Sequence, residues 1–305
     1  MKVLILGSGA REHALVWKFS QSTRISGLFA APGNAGTDEL ATNLADVDPL
    51  NAGAVVEACK ANRITHVFIG PEEPLTLGVA DALTDAGIAA IGAHREAARL
   101  EGSKAFSKAF MLRNAIPTAA YAEFTGYKEA SRYIKNRTKK IVLKKSGLAA
   151  GKGVLESDNT HEMLRFAEKT LKDDALVIEE FLEGFETTIF AVCDGKNYIL
   201  LPPCADFKKA GENDTGPNTG GMGSICPVPW LDAKIQERIR TETIEPTFAA
   251  LRKENLMYKG ILYFGLMLTQ DGPKILEYNV RFGDPEIQAL LPLISSDFGN
   301  LCDAV

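Results

Sequence analysis

The sequence predicts an α/β fold that opens with a doubly wound parallel sheet. An apolar run at residues 3–6 leads through a glycine turn into a helix of apolar periodicity, and similar strand–turn–helix units recur up to residue 91. Further along, an apolar strand at residues 141–143 runs straight into a glycine-rich loop, which predicts a second, smaller α/β unit. We therefore expect two or three domains, as a length of 305 residues also indicates.

The composition is that of an ordinary soluble protein, and it argues against several function classes. A formal net charge of -5 disfavours a nucleic-acid-binding surface, which needs a basic footprint. The five cysteines and four histidines are dispersed and no Cys-x-x-Cys occurs, so neither a disulfide framework nor a zinc module is indicated. Because no apolar run is long enough for a signal peptide or a membrane span, we expect a cytoplasmic protein without a membrane partner.

The first glycine turn is a candidate anion site rather than a dinucleotide site. A dinucleotide fingerprint needs a third glycine where this chain has Glu12, which excludes a nicotinamide or flavin cofactor here. The N-terminus of the following helix can still hold a phosphate, with Arg11 adding positive charge. Two further turns, at residues 32–36 and 70–75, follow later strands of the unit. Since ligands of open parallel sheets bind beyond the carboxyl ends of the strands, we expect the three turns to line one crevice.

The later glycine-rich loop is a candidate lid for phosphate groups. Lys144 ends the preceding strand, and Gly147, Gly151 and Gly153 allow several backbone N–H groups to approach one anion. Lys144 and Lys152 can then bracket a polyphosphate from two sides. The spacing is not that of a Walker A loop, because three residues separate Gly147 from Gly151 and no Ser or Thr follows the lysine. The alternative is a flexible surface hairpin with solvated lysines.

Ser103 is a candidate N-cap of a helix that leads into the smaller unit. Glu179 and Glu180 end an apolar strand of this unit, and because buried carboxylates need partners we expect them to face a donor or a crevice. The other predicted elements are strands at 121–124 and 176–182, helices near 128–136 and 161–171, an antiparallel pair at 186–192 and 197–201, an irregular glycine-rich segment at 206–224 and a helix at about 231–254.

A strand at residues 273–280 carries the candidate metal ligands. Alternation places Glu277, Asn279 and Arg281 on one face and Leu276 on the other. Two oxygen ligands side by side on a rigid strand suit a Mg²⁺ ion that nucleotide phosphates also hold. The alternative is a solvated edge strand, which the strongly apolar strand before it disfavours.

These motifs together resemble the glycinamide ribonucleotide synthetase (phosphoribosylamine–glycine ligase) family of the ATP-grasp superfamily. The resemblance covers essentially the whole chain, and the string Gly-Pro-Asn-Thr-Gly-Gly-Met-Gly at residues 216–223 is its most specific part. The other motifs that carry it lie at residues 7–13, 31–36, 70–72, 101–104, 147–154, 178–182 and 277–286.

The resemblance implies a fold and an activity. It implies an N-terminal substrate-binding domain at 1–101 and an ATP-grasp domain at 102–305, made of a small lid subdomain (about 118–183) and a larger α+β subdomain, with the family's usual C-terminal domain absent. The implied reaction joins glycine to 5-phosphoribosylamine through a glycyl phosphate, consuming ATP with Mg²⁺, or Mn²⁺ as an alternative, in de novo purine biosynthesis. The implied assembly is a monomer or a weak homodimer.

The resemblance also implies the site residues. For catalysis it implies Arg281, Asp284 and Lys144, and for metal binding Glu277 and Asn279. For ATP binding it implies Lys104, Lys144, Gly151, Lys152, Gly153, Glu179, Glu180, Phe181, Leu182 and Glu186. For substrate binding it implies Gly9, Arg11, Glu12, Gly33, Asn34, Glu72, Asp214, Pro217, Asn218, Thr219, Gly220 and Gly221.

The chain departs from the family pattern at several positions, and two other functions stay open. The segment between residues 154 and 176 is shorter than usual, and the departing residues are Ala10, Lys145, Ser146, Ala205, Phe207 and Lys209. One alternative is another ATP-grasp carboxylate–amine ligase or carboxylase. The other is a truncated nucleotide-binding module without turnover.

Overall fold

The first five strands of the computed structural model, which describes residues 1–149 and 153–305, form one parallel sheet in the order β3-β2-β1-β4-β5. β1 lies in the centre because it is apolar on both faces: Val3 and Ile5 enter one buried cluster, Leu4 and Leu6 another. The strands are β1 (Lys2–Gly7), β2 (Gly27–Pro32), β3 (Thr42–Asn43), β4 (His66–Ile69) and β5 (Ala89–Ile91). The predicted doubly wound opening is confirmed.

Helices connect these strands and lead out of the sheet. They are α1 (Ala10–Ser20), α2 (Ala35–Asp38), α3 (Ala52–Asn62), α4 (Glu72–Leu77), α5 (Val79–Asp85), α6 (Arg95–Gly102) and α7 (Lys104–Arg113). Ser103 caps α7 as predicted, since its side chain accepts the N–H of Phe106 at 3.2 Å.

The segment predicted to be the lid subdomain contains a four-stranded sheet in the order β6-β9-β7-β8, covered by two helices. Its elements are β6 (Tyr121–Phe124), α8 (Tyr127–Lys135), β7 (Ile141–Lys145), β8 (Val154–Glu156), α9 (Thr160–Thr170) and β9 (Leu176–Glu180). Ile134, Leu143, Met163 and Ile178 belong to a separate buried cluster under the helices. Because Leu143 and Ile178 face this cluster, alternation directs Lys144 and Glu179 to the opposite face of the sheet.

The larger subdomain is an antiparallel sheet in the order β11-β10-β16-β17. Its strands are β10 (Phe185–Asp194), β11 (Tyr198–Leu200), β16 (Lys259–Thr269) and β17 (Gly272–Asn279), and its helices are α10 (Ala233–Ile239), α11 (Glu245–Lys253), α12 (Glu286–Leu290) and α13 (Phe298–Asp303). A π-helical turn at Arg240–Ile244 joins α10 to α11, so the single predicted helix is interrupted by a wider turn. Short 3₁₀ turns lie at Glu212–Asp214 and Leu291–Leu293.

The segment predicted to be irregular contains short antiparallel pairs instead. β12 (Ala205–Asp206) pairs with β15 (Ser224–Ile225), and β13 (Lys209–Gly211) pairs with β14 (Thr215–Asn218) between them. The prediction was wrong because it relied on side-chain alternation, whereas backbone pairing here involves glycine-rich strands that bury little apolar surface.

The predicted alternation along β17 is wrong at Leu276. Gly265 pairs with Glu277 and Leu266 pairs with Ile275, so Leu276 is the extra residue of a β-bulge. Ile275 therefore joins the buried core, while Leu276 lines the same cavity as Glu277.

The N-terminal sheet and the large sheet share one packed core. The ring of Phe68 on β4 stacks on Phe282, which follows β17, with centroids 6.0 Å apart. A Cβ on Gly260 would lie 2.8 Å from the backbone nitrogen of Gly92, so only glycine allows β16 to start so close to the end of β5. In the described part of the chain, no helix combines the length and the hydropathy needed to cross a bilayer.

Candidate active site

A cavity of about 620 Å³ lies where the N-terminal sheet, the lid and the large sheet meet. About half of the predicted site residues line it, although they come from distant parts of the chain. The polar, charged and glycine residues of its lining include Arg11, Glu72, Glu101, Lys104, Lys108, Gly153, Glu179, Asp206, Lys208, Asn218, Thr219, Gly220, Gly221, Glu277, Asn279, Arg281 and Asp284. Two residues predicted to bind ATP, Gly151 and Lys152, lie outside the described residues.

Lys104 links the start of α7 to the loop of the lid. Its backbone N–H donates to the carbonyl of Ser146 at 2.9 Å, and its Nζ donates to the carbonyl of Gly147 at 3.4 Å. Burial lowers the pKa of Lys104, with Glu277 opposing that effect. The lysine therefore stands between the lid and β17, where an anion held in the cavity would meet it.

Glu179 accepts hydrogen bonds from two buried lysines. Its Oε2 lies 3.1 Å from Lys108 Nζ and 3.0 Å from Lys144 Nζ, and at most 10% of any of the three side chains is exposed. Burial lowers the pKa of Lys108 to about 8. Glu179 Oε1 is buried without a hydrogen-bond partner among the described residues. Sequence reasoning did not select Lys108, although its spacing of four from Lys104 places both lysines on one face of α7.

The neighbouring predicted ATP residues have different surroundings. Glu180 points to the other face of β9, where it accepts from the N–H of Ala120 at 3.0 Å and from Lys274 Nζ at 3.2 Å. The Phe181 ring lies 3.8 Å from Lys140 Nζ, and Leu182 is half-buried. Both glutamates therefore face hydrogen-bond donors, as expected, but they do so on opposite faces of β9.

Glu186, at the start of β10, forms an ion pair with Lys208. Burial disfavours the charged form of Lys208, but Tyr263 and Glu186 outweigh that effect and raise the pKa of the lysine. Lys208 also lines the cavity, so this pair joins Glu186, a predicted ATP-binding residue, to the glycine-rich segment that follows β12.

Arg281 connects three parts of the fold. Its Nε lies 3.2 Å from Glu72 Oε2 on α4, and its Nη2 lies 2.9 Å from Glu101 Oε1 on α6. Glu101 also accepts the backbone N–H of Val280 at 2.7 Å. Burial opposes the charged guanidinium, but Glu101 and Glu72 outweigh it and raise the pKa of Arg281. Glu101 was not selected from the sequence, although it begins the motif that ends at Lys104.

Glu277 and Asn279 present oxygen atoms on the wall of the cavity. Burial raises the pKa of Glu277, but Lys208, Lys144 and Lys104 outweigh it, so the pKa is lowered and the carboxylate is ionised at neutral pH. Its side chain makes no hydrogen bond or ion pair with any other described residue. A free carboxylate beside an amide oxygen fits Mg²⁺, which prefers hard oxygen ligands and keeps several positions for water and phosphate.

A carboxylate of the chain itself occupies the first glycine turn of the first domain, and the second turn is hydrogen-bonded to the first. Glu12 accepts the N–H of Gly9 at 2.7 Å and the Nε of Arg11 at 2.6 Å. Asn34 Nδ2 donates to the carbonyl of Ser8 at 2.9 Å, which ties the second turn to the first. The N-terminus of α1 was expected to hold a phosphate. Instead, the Glu12 carboxylate accepts the Gly9 amide there, because the side chain of the third helical residue reaches back to the residue before the helix.

The predicted substrate residues outside Arg11 and Glu72 divide into two groups. Gly9 lies beside the cavity, since a Cβ there would be 3.9 Å from Asp284 Oδ2, whereas the N–H of Gly33 donates to the carbonyl of Gly7 at 3.2 Å. Pro217 is exposed, and Asp214 ends the 3₁₀ turn. The group that lines the cavity is Asn218, Thr219, Gly220 and Gly221, together with Asp284, which was predicted for catalysis.

Asp206 is a further cavity residue that sequence reasoning did not select. Burial, with repulsion from Glu286 and Glu186, raises the pKa of Asp206 to about 7. Its Oδ1 is buried and lacks a hydrogen-bond partner in the described ranges. The one feature of the sequence that distinguishes Asp206 is its position at the start of the glycine-rich segment, and that position does not predict burial.

We expect Asp206→Asn to stabilise the protein in a pH-dependent way. Because the pKa is raised in the folded state, the stability of the native protein is complete below about pH 4 and falls as pH rises towards 7. The variant should match the native protein near pH 4 and exceed its free energy of unfolding by about 2 kcal/mol at pH 8, a value discounted for solvent screening. Urea unfolding at both pH values measures this. Asp271→Asn, at an exposed turn, is the control, and an equal gain in that variant would contradict the assignment.

Two family models together match residues 1–287, the range that contains all the residues lining the cavity. The one described as phosphoribosylglycinamide synthetase, N domain, matches residues 1–101, and the one described as phosphoribosylglycinamide synthetase, ATP-grasp (A) domain, matches residues 102–287. The chain belongs to the phosphoribosylglycinamide synthetase family. This confirms the resemblance drawn from the motifs, and with it the assignment to the ATP-dependent ligases.

Individual relatives lead to the same family. It is 46% identical to a phosphoribosylamine–glycine ligase of Rhodopirellula baltica, with 99% of this chain and 72% of the relative covered. It is 42% identical to a trifunctional purine biosynthetic protein adenosine-3 of Drosophila melanogaster, over 99% of this chain but 23% of that protein. The crystal structure of a Thermotoga maritima phosphoribosylamine–glycine ligase superposes with a TM-score of 0.84 at 36% identity, covering 100% of this chain and 75% of that one.

The residues that depart from the family pattern have defined places in the structure. Ala205 is buried in β12, and Phe207 is 46% exposed. Lys209 Nζ lies 3.1 Å from Glu156 Oε2, which connects the glycine-rich segment to β8 of the lid. Ser146 accepts the N–H of Ala105 at 3.2 Å and so joins the lid strand to α7. Two of these departures therefore contribute contacts between the lid and the rest of the chain.

Proposed function

We propose that the chain joins glycine to 5-phosphoribosylamine at the expense of ATP. The observation that carries the proposal is the arrangement in one cavity of the Glu277 carboxylate, the Asn279 amide and the ammonium groups of Lys104 and Lys208. Such a site neutralises a polyphosphate and provides oxygen ligands for the cation bound to it. Membership of the phosphoribosylglycinamide synthetase family supports the choice of substrates.

The nucleotide would lie between the lid and β17. Lys104 would neutralise phosphate charge, and the 147–153 loop would cover the phosphates and exclude water. Glu179 Oε1, buried on the cavity wall and without a described partner, offers an acceptor for the amino group of adenine. Glu277 and Asn279 would hold Mg²⁺, or Mn²⁺, which when bound supplies further neutralisation of the β- and γ-phosphates.

The chemistry needs positioning more than covalent help from the chain. The glycine carboxylate oxygen attacks the γ-phosphorus, the bond to the bridging oxygen breaks, and ADP leaves. The amine of phosphoribosylamine then attacks the carbonyl carbon of the glycyl phosphate, phosphate leaves, and the nitrogen loses a proton. Arg281 has five N–H donors, of which the contacts to Glu72, Glu101 and Phe282 use three, and the remainder can orient a carboxylate. Asp284, which also lines the cavity, would face the amine.

The test is a ligase assay on the purified chain. ATP, Mg²⁺, glycine and freshly prepared phosphoribosylamine should yield ADP, phosphate and a glycinamide product, and omission of either co-substrate should stop product formation. Product with another carboxylate but none with glycine would point to a different ATP-grasp ligase. Calorimetric binding of Mg·ATP without turnover under any substrate combination would support a nucleotide-binding module instead.

A further inference from the structure

Two thiols far apart in the sequence stand at facing positions beside the cavity. β12 and β15 pair antiparallel, with Ala205 opposite Ile225 and Asp206 opposite Ser224. Continuing this register by one residue places Cys204 opposite Cys226. The other three cysteines of the chain, Cys59, Cys193 and Cys302, are buried elsewhere.

The backbone places the two cysteines in the close type of antiparallel pair. The N–H and the carbonyl of Cys204 both bond to Thr188 on β10, each at 2.8 Å. They therefore point away from Cys226, which makes this a non-hydrogen-bonded pair, the type whose Cα atoms lie about 4.5 Å apart. Disulfides span Cα separations of roughly 4.4 to 6.8 Å, so this pair falls within the range.

The side chains also share one partner. Both Sγ atoms lie near the carbonyl oxygen of Pro202, Cys204 at 3.7 Å and Cys226 at 3.8 Å. Cys204 is fully buried, whereas Cys226 is partly exposed and so accessible to a small reagent. The contact between the thiols raises the pKa of Cys204 and lowers the pKa of Cys226. The accessible thiol is thus also the one that ionises more readily, as an attacking nucleophile must.

We propose that Cys204 and Cys226 form a reversible disulfide when the protein meets a small-molecule disulfide. The Cys226 thiolate attacks one sulfur of the reagent and displaces the first small thiolate, leaving a mixed disulfide. Cys204 loses its proton to solvent and attacks Cys226 Sγ, which releases the second small thiolate. Two protein thiols are oxidised to one disulfide, and one small disulfide is reduced to two thiols.

The crosslink would close the segment that forms one wall of the cavity. The residues between the two cysteines include Asp206, Lys208, Thr219 and Gly221, all of which line the cavity. Because a disulfide restricts the unfolded chain and ties β12 to β15, the oxidised protein should melt about 5 °C higher than the reduced protein. This inference does not depend on the proposed ligase reaction.

The experiment is oxidation of the folded full chain with glutathione disulfide, followed by alkylation of free thiols and peptide mapping without reduction. We expect one major crosslinked peptide pair, containing Cys204 and Cys226, which dithiothreitol abolishes. Cys226→Ser should lose the crosslink and the rise in melting temperature, and Cys193→Ser, at a buried position outside the pair, should keep both. Circular dichroism establishes that each variant is folded.

Other outcomes would overturn the proposal. A stable glutathione adduct on Cys226 without an internal crosslink would show that Cys204 does not reach it. A crosslink that appears only in denaturant, or one that joins other cysteines equally, would show that the folded strands do not hold this pair together.

Discussion

Glu277→Gln should lower the turnover of the ligase reaction by about 100-fold or more, because the change removes the anionic ligand while keeping nearly the same volume. Steady-state ADP release measures the loss. Raising the Mg²⁺ concentration should restore part of the activity if weakened metal binding is the defect. Full activity in the variant would exclude Glu277 from the metal site.

The same substitution should also lower the free energy of unfolding at neutral pH. Surrounding cations hold the pKa of Glu277 below its ordinary value, so the charged carboxylate stabilises the fold above the unfolded pKa. That contribution is lost as pH falls through the folded pKa, and the two proteins should converge only at acid pH, below that folded pKa. Glu183→Gln, an exposed position after β9, is the control for charge and should change neither turnover nor stability.

Glu179→Gln should destabilise the protein by about 3 to 5 kcal/mol, because it leaves the ammonium groups of Lys108 and Lys144 buried without their shared counter-charge. Urea unfolding at pH 7 measures the free energy of unfolding. The deficit should shrink as pH rises past 8, since Lys108 has a lowered pKa and becomes neutral there.

The matched control is the neighbouring Glu180→Gln. Glu180 carries the same side chain on the same strand, but it faces the other side, where its partner Lys274 keeps 26% of its side chain exposed. Pairs of this kind contribute about 0 to 1 kcal/mol, so the control should lose little. Equal losses of stability in Glu179→Gln and Glu180→Gln would show that the burial of the partner lysines does not determine the size of the loss.

Part of the fold follows from local rules and was predicted from the sequence. β1 is apolar on both faces, which predicts a central strand of a covered parallel sheet, and Ser103 is a helix cap by its residue type alone. The strand of Glu277 and Asn279 is also a local prediction. Its bulge at Leu276 is not, since that depends on which residues of β16 it meets.

The sequence by itself determined the family, the order of strands and helices, and the residue types that meet phosphates and a metal ion, because periodicity, turn chemistry and motif spacing are all short-range properties. Only the tertiary structure decided which charged groups pair: Glu179 with Lys108 and Lys144, and Arg281 with Glu72 and Glu101. It placed the Glu12 carboxylate on the turn that was expected to bind phosphate. It also brought Cys204 to face Cys226. These pairings join residues whose separation along the chain carries no information about distance, and their strength depends on burial, which the packing of the whole chain sets.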